Sequence, residues 1–459
     1  MVPKSVFCHY MVGLTLNQTI EQWYDDISLA SASLIDGFAL NIGAGDSFTI
    51  DSVRNAYNAA GQFGDFSLFL SFDFHAVGGE WNAASVSDMI RTFKDEPAQF
   101  KVDGKPLVST FEGVPFLDEW RHVRDQVDGG VYLVPDWSSL GPQGVRDVVG
   151  AIDGHFSFDA WPKPGQNRMS SDLDTDYKQA LGGKTYMAGL SPYFYTNLED
   201  YKKNWYSSSD RLWFDRWEQI VVNQPDLVQI ISWNDFGESH YISDIRPNQV
   251  LDQARRYVDG YPHSGFRGML PYYIAAYKQG KADIALPASL GDGIVTAWYR
   301  RTPVDISGCS DGGTVWGQYG TMSAKSGVQD AINLAAVVAV DSMVTVSLDG
   351  ESKSFEVAPG APTFIQVPFS DFNKRAGRVL ISINGETVEG PGISDQCPES
   401  GIINFNAVAI HTVAPFTRRR HIEEPIDGGS EYDQRSAGSG AGNLIPGLWF
   451  LWAALALYL

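Results

Sequence analysis

The sequence predicts an α/β fold: a (β/α)8 TIM-type barrel followed by a smaller all-β sandwich. Three observations carry this. Strand-like and helix-like stretches alternate up to about residue 240, which argues for a parallel sheet. Eight such units match a barrel, whose usual size is roughly 250 residues. Beyond Ala282 the alternation stops, and short β-type runs separated by Gly, Asp and Asn take over.

The eight strand-like segments are Val6–Val12, Ile35–Ile42, Phe66–Phe74, Pro106–Glu112, Val131–Trp137, His155–Trp161, Thr185–Phe194 and Leu227–Trp233. Helical stretches such as Trp23–Ser33, Ser52–Gln62 and Val86–Phe93 lie between them, and Asn248–Val258 and Met269–Gln279 close the wall. A doubly wound open sheet is the rival, but no GxGxxG follows the first strand. Gly43-Ala44-Gly45 looks like part of a nucleotide loop whose remainder is missing. The barrel domain is expected over 1–282 and the sandwich over 283–416. Within the latter, Asp349-Gly350 and Asn384-Gly385 are hairpin-turn dipeptides. The β-rich part shows no cluster of exposed aromatics, so a bracing role is expected for it.

In a barrel the C-terminal ends of the strands converge on the active face. Here those ends read His9, Tyr10, Asn41, Asp73, His75, Glu112, Asp136, Trp137, Asp159, Trp161, Tyr193, Trp233, Asn234 and Asp235. Five of the eight ends carry an acid, which helix capping alone explains poorly. The last strand runs into Trp233-Asn234-Asp235-Phe236-Gly237-Glu238-Ser239-His240. Two acids three residues apart beside an aromatic suit a sugar site: the ring packs on a pyranose face and the acids exchange protons. On spacing alone, a solvated acidic turn over a core Trp fits equally.

With charged residues at 19% and aromatics at 13%, the chain is globular. Its net charge of −21 argues against a nucleic-acid partner, which needs clustered Lys and Arg. The histidines show no metal spacing, and no phosphate loop, HExxH or CxxC is present. Cys8 falls in the first strand; Cys309 and Cys397 fall together in the β-rich part, where a disulfide is expected on export.

Trp233-Asn234-Asp235-Phe236-Gly237-Glu238-Ser239-His240-Tyr241 resembles the Trp-Asn-Asp-Tyr-Gly-Glu-Ser-His-Tyr motif of glycoside hydrolase family 71, the fungal α-1,3-glucanases or mutanases. His9-Tyr10-Met11-Val12-Gly13, Ile35 to Gly43, Ser71-Phe72-Asp73, Lys203-Asn204-Trp205 and Leu212 to Trp217 are also similar to the family. Phe236 departs from the usual Tyr and removes a hydroxyl. The resemblance implies endo-hydrolysis of α-1,3-glucan with inversion, Asp235 and Glu238 as the catalytic pair, and the other strand-end residues and His240 in the substrate cleft. Glu238 is assigned as acid and Asp235 as base. Inverting pairs stand roughly 6.5–9.5 Å apart. The reaction needs no cofactor, and a monomer is expected. The alternative is a non-catalytic glucan-binding or wall-organising surface protein.

A Gly/Ser-rich stalk is expected over 417–442. An apolar tail over 443–459 follows the small residues Ser436 to Gly442, with no basic flank after it. That pattern matches a GPI-anchor signal. The expectation is a protein at the cell surface or wall, touching membrane only through this anchor or tail, with its secretory leader missing ahead of Met1. The mature protein should lack Leu444–Leu459 and be released from membranes by a phosphatidylinositol-specific phospholipase. Mass spectrometry finding the intact tail in the mature membrane form overturns this.

Overall fold

The computed structural model describes residues 2–207 and 210–416. The stalk expected at 417–442 and the tail at 443–459 lie outside the described residues. The fold is mixed α/β, with a curled parallel sheet and separate smaller sheets. No helix among the described residues is long and apolar enough to cross a membrane.

The parallel strands are β1 (Ser5–Met11), β2 (Gly37–Ile42), β3 (Ser67–Asp73), β4 (Lys105–Phe111), β5 (Tyr132–Leu133), β6 (Gly154–Ser157), β7 (Thr185–Leu190) and β8 (Leu227–Ile230). They are ordered β4-β3-β2-β1-β8-β7-β6, with β5 paired to β4. Phe156 of β6 donates its amide to Pro135 just beyond β5, and Asp136 bridges both Phe111 and Phe156. The eight segments read from the sequence each overlap one of these strands; three strands start one residue earlier than expected, and most end earlier, where the chain turns into loops. The strands are near-continuously buried, as a parallel sheet covered on both faces demands. Gly37 is dictated by contact: a Cβ there would sit 2.1 Å from the Ser67 carbonyl oxygen.

Helices α1 (Ile20–Ala32), α2 (Thr49–Phe63), α3 (Ala83–Phe93), α4 (Glu119–Gln126), α5 (Gly141–Val148), α6 (Asp172–Leu181) and α7 (Leu212–Asn223) follow successive strands. Thr19 with Gln22 caps α1, and Asn82 with Ser85 caps α3, each by a reciprocal side-chain and backbone exchange. The continuous helix expected over Asn248–Val258 is instead two 3₁₀ turns and the four-residue helix α8 (Arg255–Val258). Gln249 is the reason we give: its buried amide turns inward to Gln18 and Asn234, which a regular helix facing the wall does not allow. Helix α9 (Leu270–Gln279) packs against α7.

After α9 come strands β9 (Gly293–Arg300), β10 (Ala331–Val338), β11 (Ser342–Leu348), β12 (Glu351–Val357), β13 (Thr363–Pro368), β14 (Gly377–Ile383), β15 (Glu386–Ile393) and β16 (Ala407–Ala414). One antiparallel sheet runs β13-β10-β9-β16 and another β12-β11-β14-β15. Asp349 and Gly350, and Asn384 and Gly385, all have positive φ, as tight hairpin turns require. The two sheets share an apolar core of Val295, Ala297, Val344, Val346, Val379 and Ile381. Residues of β9 and β10 are buried throughout, because the reverse face of that sheet, with Ile294, Trp298 and Val337, joins the core of the parallel sheet. Strand β11 instead alternates between buried and solvent-facing positions. Cys309 and Cys397 form a disulfide, and Cys8 is a buried free thiol.

Arg216 of α7 is fully buried and pins α6 to β7. Its guanidinium donates to both Asp174 oxygens at 2.5 and 2.8 Å and to the Gly189 carbonyl. Breaking such a pair leaves an uncompensated charge, at a cost of about 3–5 kcal/mol. Arg216→Ala is therefore expected to lose about that much stability in urea unfolding; an unchanged midpoint and slope refute the role given to the pair.

Candidate active site

The turn after β8 is built by its own side chains. Asn234 stands in for backbone: its Oδ1 accepts the Met11 amide at 2.8 Å and its amide donates to the Met11 carbonyl. Ser232 Oγ accepts the Asp235 amide at 2.9 Å and lies 2.9 Å from His240 Nδ1. Asp235 Oδ1 accepts the Glu238 amide at 3.0 Å, and Tyr257 donates to the Gly237 carbonyl. Phe236, lacking the hydroxyl of the usual Tyr, is fully buried against the Tyr241 ring.

These bonds present Asp235, Glu238 and His240 to a cleft of ≈ 290 Å³. Lys203 enters the cleft from a hairpin of Tyr195–Leu198 and Lys203–Tyr206, and its ammonium lies 2.6 Å from Glu238 Oε1. His240 Nε2 lies 3.1 Å from Glu238 Oε2 and 3.8 Å from Asp235 Oδ2. Burial pushes the Asp235 carboxyl upward from its ordinary value, and the Glu238 charge adds to this against His240 and Lys203. Burial also disfavours the Glu238 charge, but Lys203 and His240 outweigh it and hold that carboxyl down at about 2. The two neighbouring acids are therefore driven apart in proton affinity. One ligand atom each of Asp235, Glu238 and His240 lies within 4.8 Å of the others, a grouping able to hold a metal ion. Lys203 already balances Glu238 there, so the charge pattern does not depend on one.

Of the strand-end residues, His9, Asn41, Asp73, Asp159 and Trp161 line the same cleft. Burial, with His240 nearby, lowers His9 to about 3, so its ring is neutral. Burial raises Asp73 and Asp159, whose carboxylates accept from the His75 amide and the Tyr177 hydroxyl. The others sit elsewhere. Tyr10 points into the wall and donates to Asp26; Trp137 and Trp233 are buried in the core. Tyr193 donates to the Phe405 carbonyl, and His75 stands edge-on to Phe111. Glu112 accepts from the Ser139 amide and hydroxyl, and Asp136 from those of Ser138, and neither lines the cleft. Lys203 and Trp205, noted in the sequence only as part of a stretch similar to the family, also line the cleft, with Trp205 stacked on Phe194; so does Asp46, not named as a site residue, which burial pushes up to about 6. Asp46 follows Gly43-Ala44-Gly45, the partial loop noted in the sequence.

The model of glycosyl hydrolase family 71 matches residues 2–420. A glucan endo-1,3-alpha-glucosidase of Schizosaccharomyces pombe is 33% identical over 424 residues, 88% of this chain and 93% of that one. A mutanase of Penicillium rubens is 34% identical over 416 residues, 88% of this chain and 87% of the relative. An endo-alpha-mannosidase of Bacteroides thetaiotaomicron has a TM-score of 0.45 at 13% identity, covering 61% of this chain and 99% of that structure; a likeness of that size carries no argument. With the family model spanning nearly the whole described chain and a split acid pair at the end of β8, the protein belongs to glycosyl hydrolase family 71 and is a glycoside hydrolase.

Proposed function

We propose that the chain is an endo-acting α-1,3-glucan hydrolase of the fungal wall, working outside the cell. The observation that carries the mechanism is the divergent proton affinity of Asp235 and Glu238. It reverses the roles expected from the motif. Asp235, whose proton affinity burial raises, is the acid that protonates the leaving glycosidic oxygen. Glu238, kept ionised by Lys203 and His240, accepts a proton from the attacking water. The pairing along the parallel strands supports a (β/α)8 barrel over 1–282, and the two antiparallel sheets support a β-sandwich over 283–416. The relatives' names supply the linkage.

Inversion is supported by the occupancy of Glu238: each oxygen already has a partner, which suits proton acceptance better than attack on carbon. One observation favours retention. The nearest oxygens of the two acids lie within 4.8 Å, on the near side of the inverting range. NMR of the first product formed from α-1,3-glucan decides: the β anomer means inversion, the α anomer makes Glu238 a nucleophile.

Asp235→Asn and Glu238→Gln should each lower reducing-sugar release from insoluble α-1,3-glucan by about 10²–10⁴-fold while glucan binding persists. Azide should rescue Glu238→Gln and yield a β-glycosyl azide; rescue of Asp235→Asn in its place restores the opposite assignment. A binding-only protein releases no sugar at all.

The pH profile carries a separate test. Activity needs Glu238 ionised and Asp235 protonated. It therefore falls as pH drops through about 2 and as pH rises through the elevated value of Asp235. Removing the ammonium in Lys203→Met lets burial dominate at Glu238, so the acid limb of kcat/KM should move to higher pH. An unmoved limb removes Lys203 from the mechanism.

A further inference from the structure

Between β9 and β10 the chain leaves the antiparallel sheets and returns to the cleft. Val315–Trp316 pairs in parallel with Trp205 and Tyr206 of the hairpin that carries Lys203. The next turn, Trp316-Gly317-Gln318-Tyr319-Gly320, brings Gln318 and Tyr319 into the lining of the cleft that Trp161, Pro164, Trp205 and Glu238 also line. The turn is built to hold that place. The Gly317 amide donates to the Tyr206 carbonyl at 2.7 Å, and the Trp316 amide to the Met322 carbonyl at 2.8 Å. Gly317 has φ 82°, and a Cβ on it would meet Pro164 at 2.7 Å. Asn204 ties the segment's start, donating to the Gly312 carbonyl and accepting from Thr314.

Tyr319 itself has φ 63°, a left-handed backbone that a bulky residue seldom adopts. Such conformations persist where the surroundings enforce them, and they cluster at ligand clamps. The residue is 66% exposed although the turn around it is fixed by packing and hydrogen bonds. A pyranose offers an apolar C–H face, and an exposed ring on a cleft wall is the surface that covers it.

On the reading above, we propose that Tyr319 is a substrate-positioning residue: its ring stacks against a glucosyl unit of the bound α-1,3-glucan chain. The segment after β9 thus completes a binding subsite and does more than brace the sheet.

The experiment is steady-state hydrolysis of soluble α-1,3-gluco-oligosaccharides of graded length by wild type, Tyr319→Ala and Tyr319→Phe. Truncating an aromatic anchor costs about a factor of ten in affinity. Tyr319→Ala should therefore raise KM about tenfold, by a larger factor than it lowers kcat. The rise should appear only above a threshold chain length. Tyr319→Phe, which keeps the ring, should restore wild-type KM. Met343→Ala, an exposed apolar change on β11, is the control and leaves both constants unchanged. A Tyr319→Ala enzyme with wild-type KM at every length, or one losing kcat and KM equally at all lengths with a lowered unfolding midpoint, overturns the proposal. Wild type that releases no sugar from any of these chains overturns the glucan reading and the proposal together.

Discussion

The ion pair between Lys203 and Glu238 is the interaction on which the charge pattern of the cleft depends. Two carboxyls in a buried turn both tend to hold protons, since burial disfavours each charge and like charges repel. A single ammonium at 2.6 Å breaks that symmetry. Glu238 gives up its proton, and the neighbouring Asp235 becomes harder to ionise. The ammonium is itself costly to bury, and only Glu238 and the acids around it keep it charged. Each partner is thus the condition for the other.

The position of that ammonium depends in turn on elements distant in sequence. Lys203 opens the second strand of a short hairpin whose first strand begins at Tyr195, where the amide donates to the Glu238 carbonyl. The free edge of the second strand is covered by Val315–Trp316, from beyond β9. The acid turn, the hairpin and the late segment are three layers, each holding the next.

The strands were legible because parallel strands read as continuous apolar runs, and the eight runs here are separated by ordinary helix lengths. Which of their terminal residues face the cleft was less legible. Neighbours on a strand point to opposite faces, so His9 reaches the cleft while Tyr10 enters the wall, and Trp233 lies in the core. A list of strand ends cannot make that choice without the register. Strands β12, β15 and β16 carry a weak signal, because charged residues, or Gly and Pro, interrupt their apolar pattern, or because small residues mute it. The places of Lys203 and Tyr319 depend on distant pairing, which neither a local pattern nor a stretch similar to the family reveals.

The sheet of β9, β10, β13 and β16 lies between two apolar cores and serves both. Trp298 donates to the Asp210 carbonyl, and Arg300 pairs with Asp210 and Asp330 from the same strand. An accessory module that hangs on a linker can be lost, duplicated or exchanged between enzymes, since few contacts cross its boundary. A shared sheet removes that freedom. Detaching the late strands would expose apolar residues of the catalytic half to water, so in this chain neither part can be removed without uncovering the core of the other.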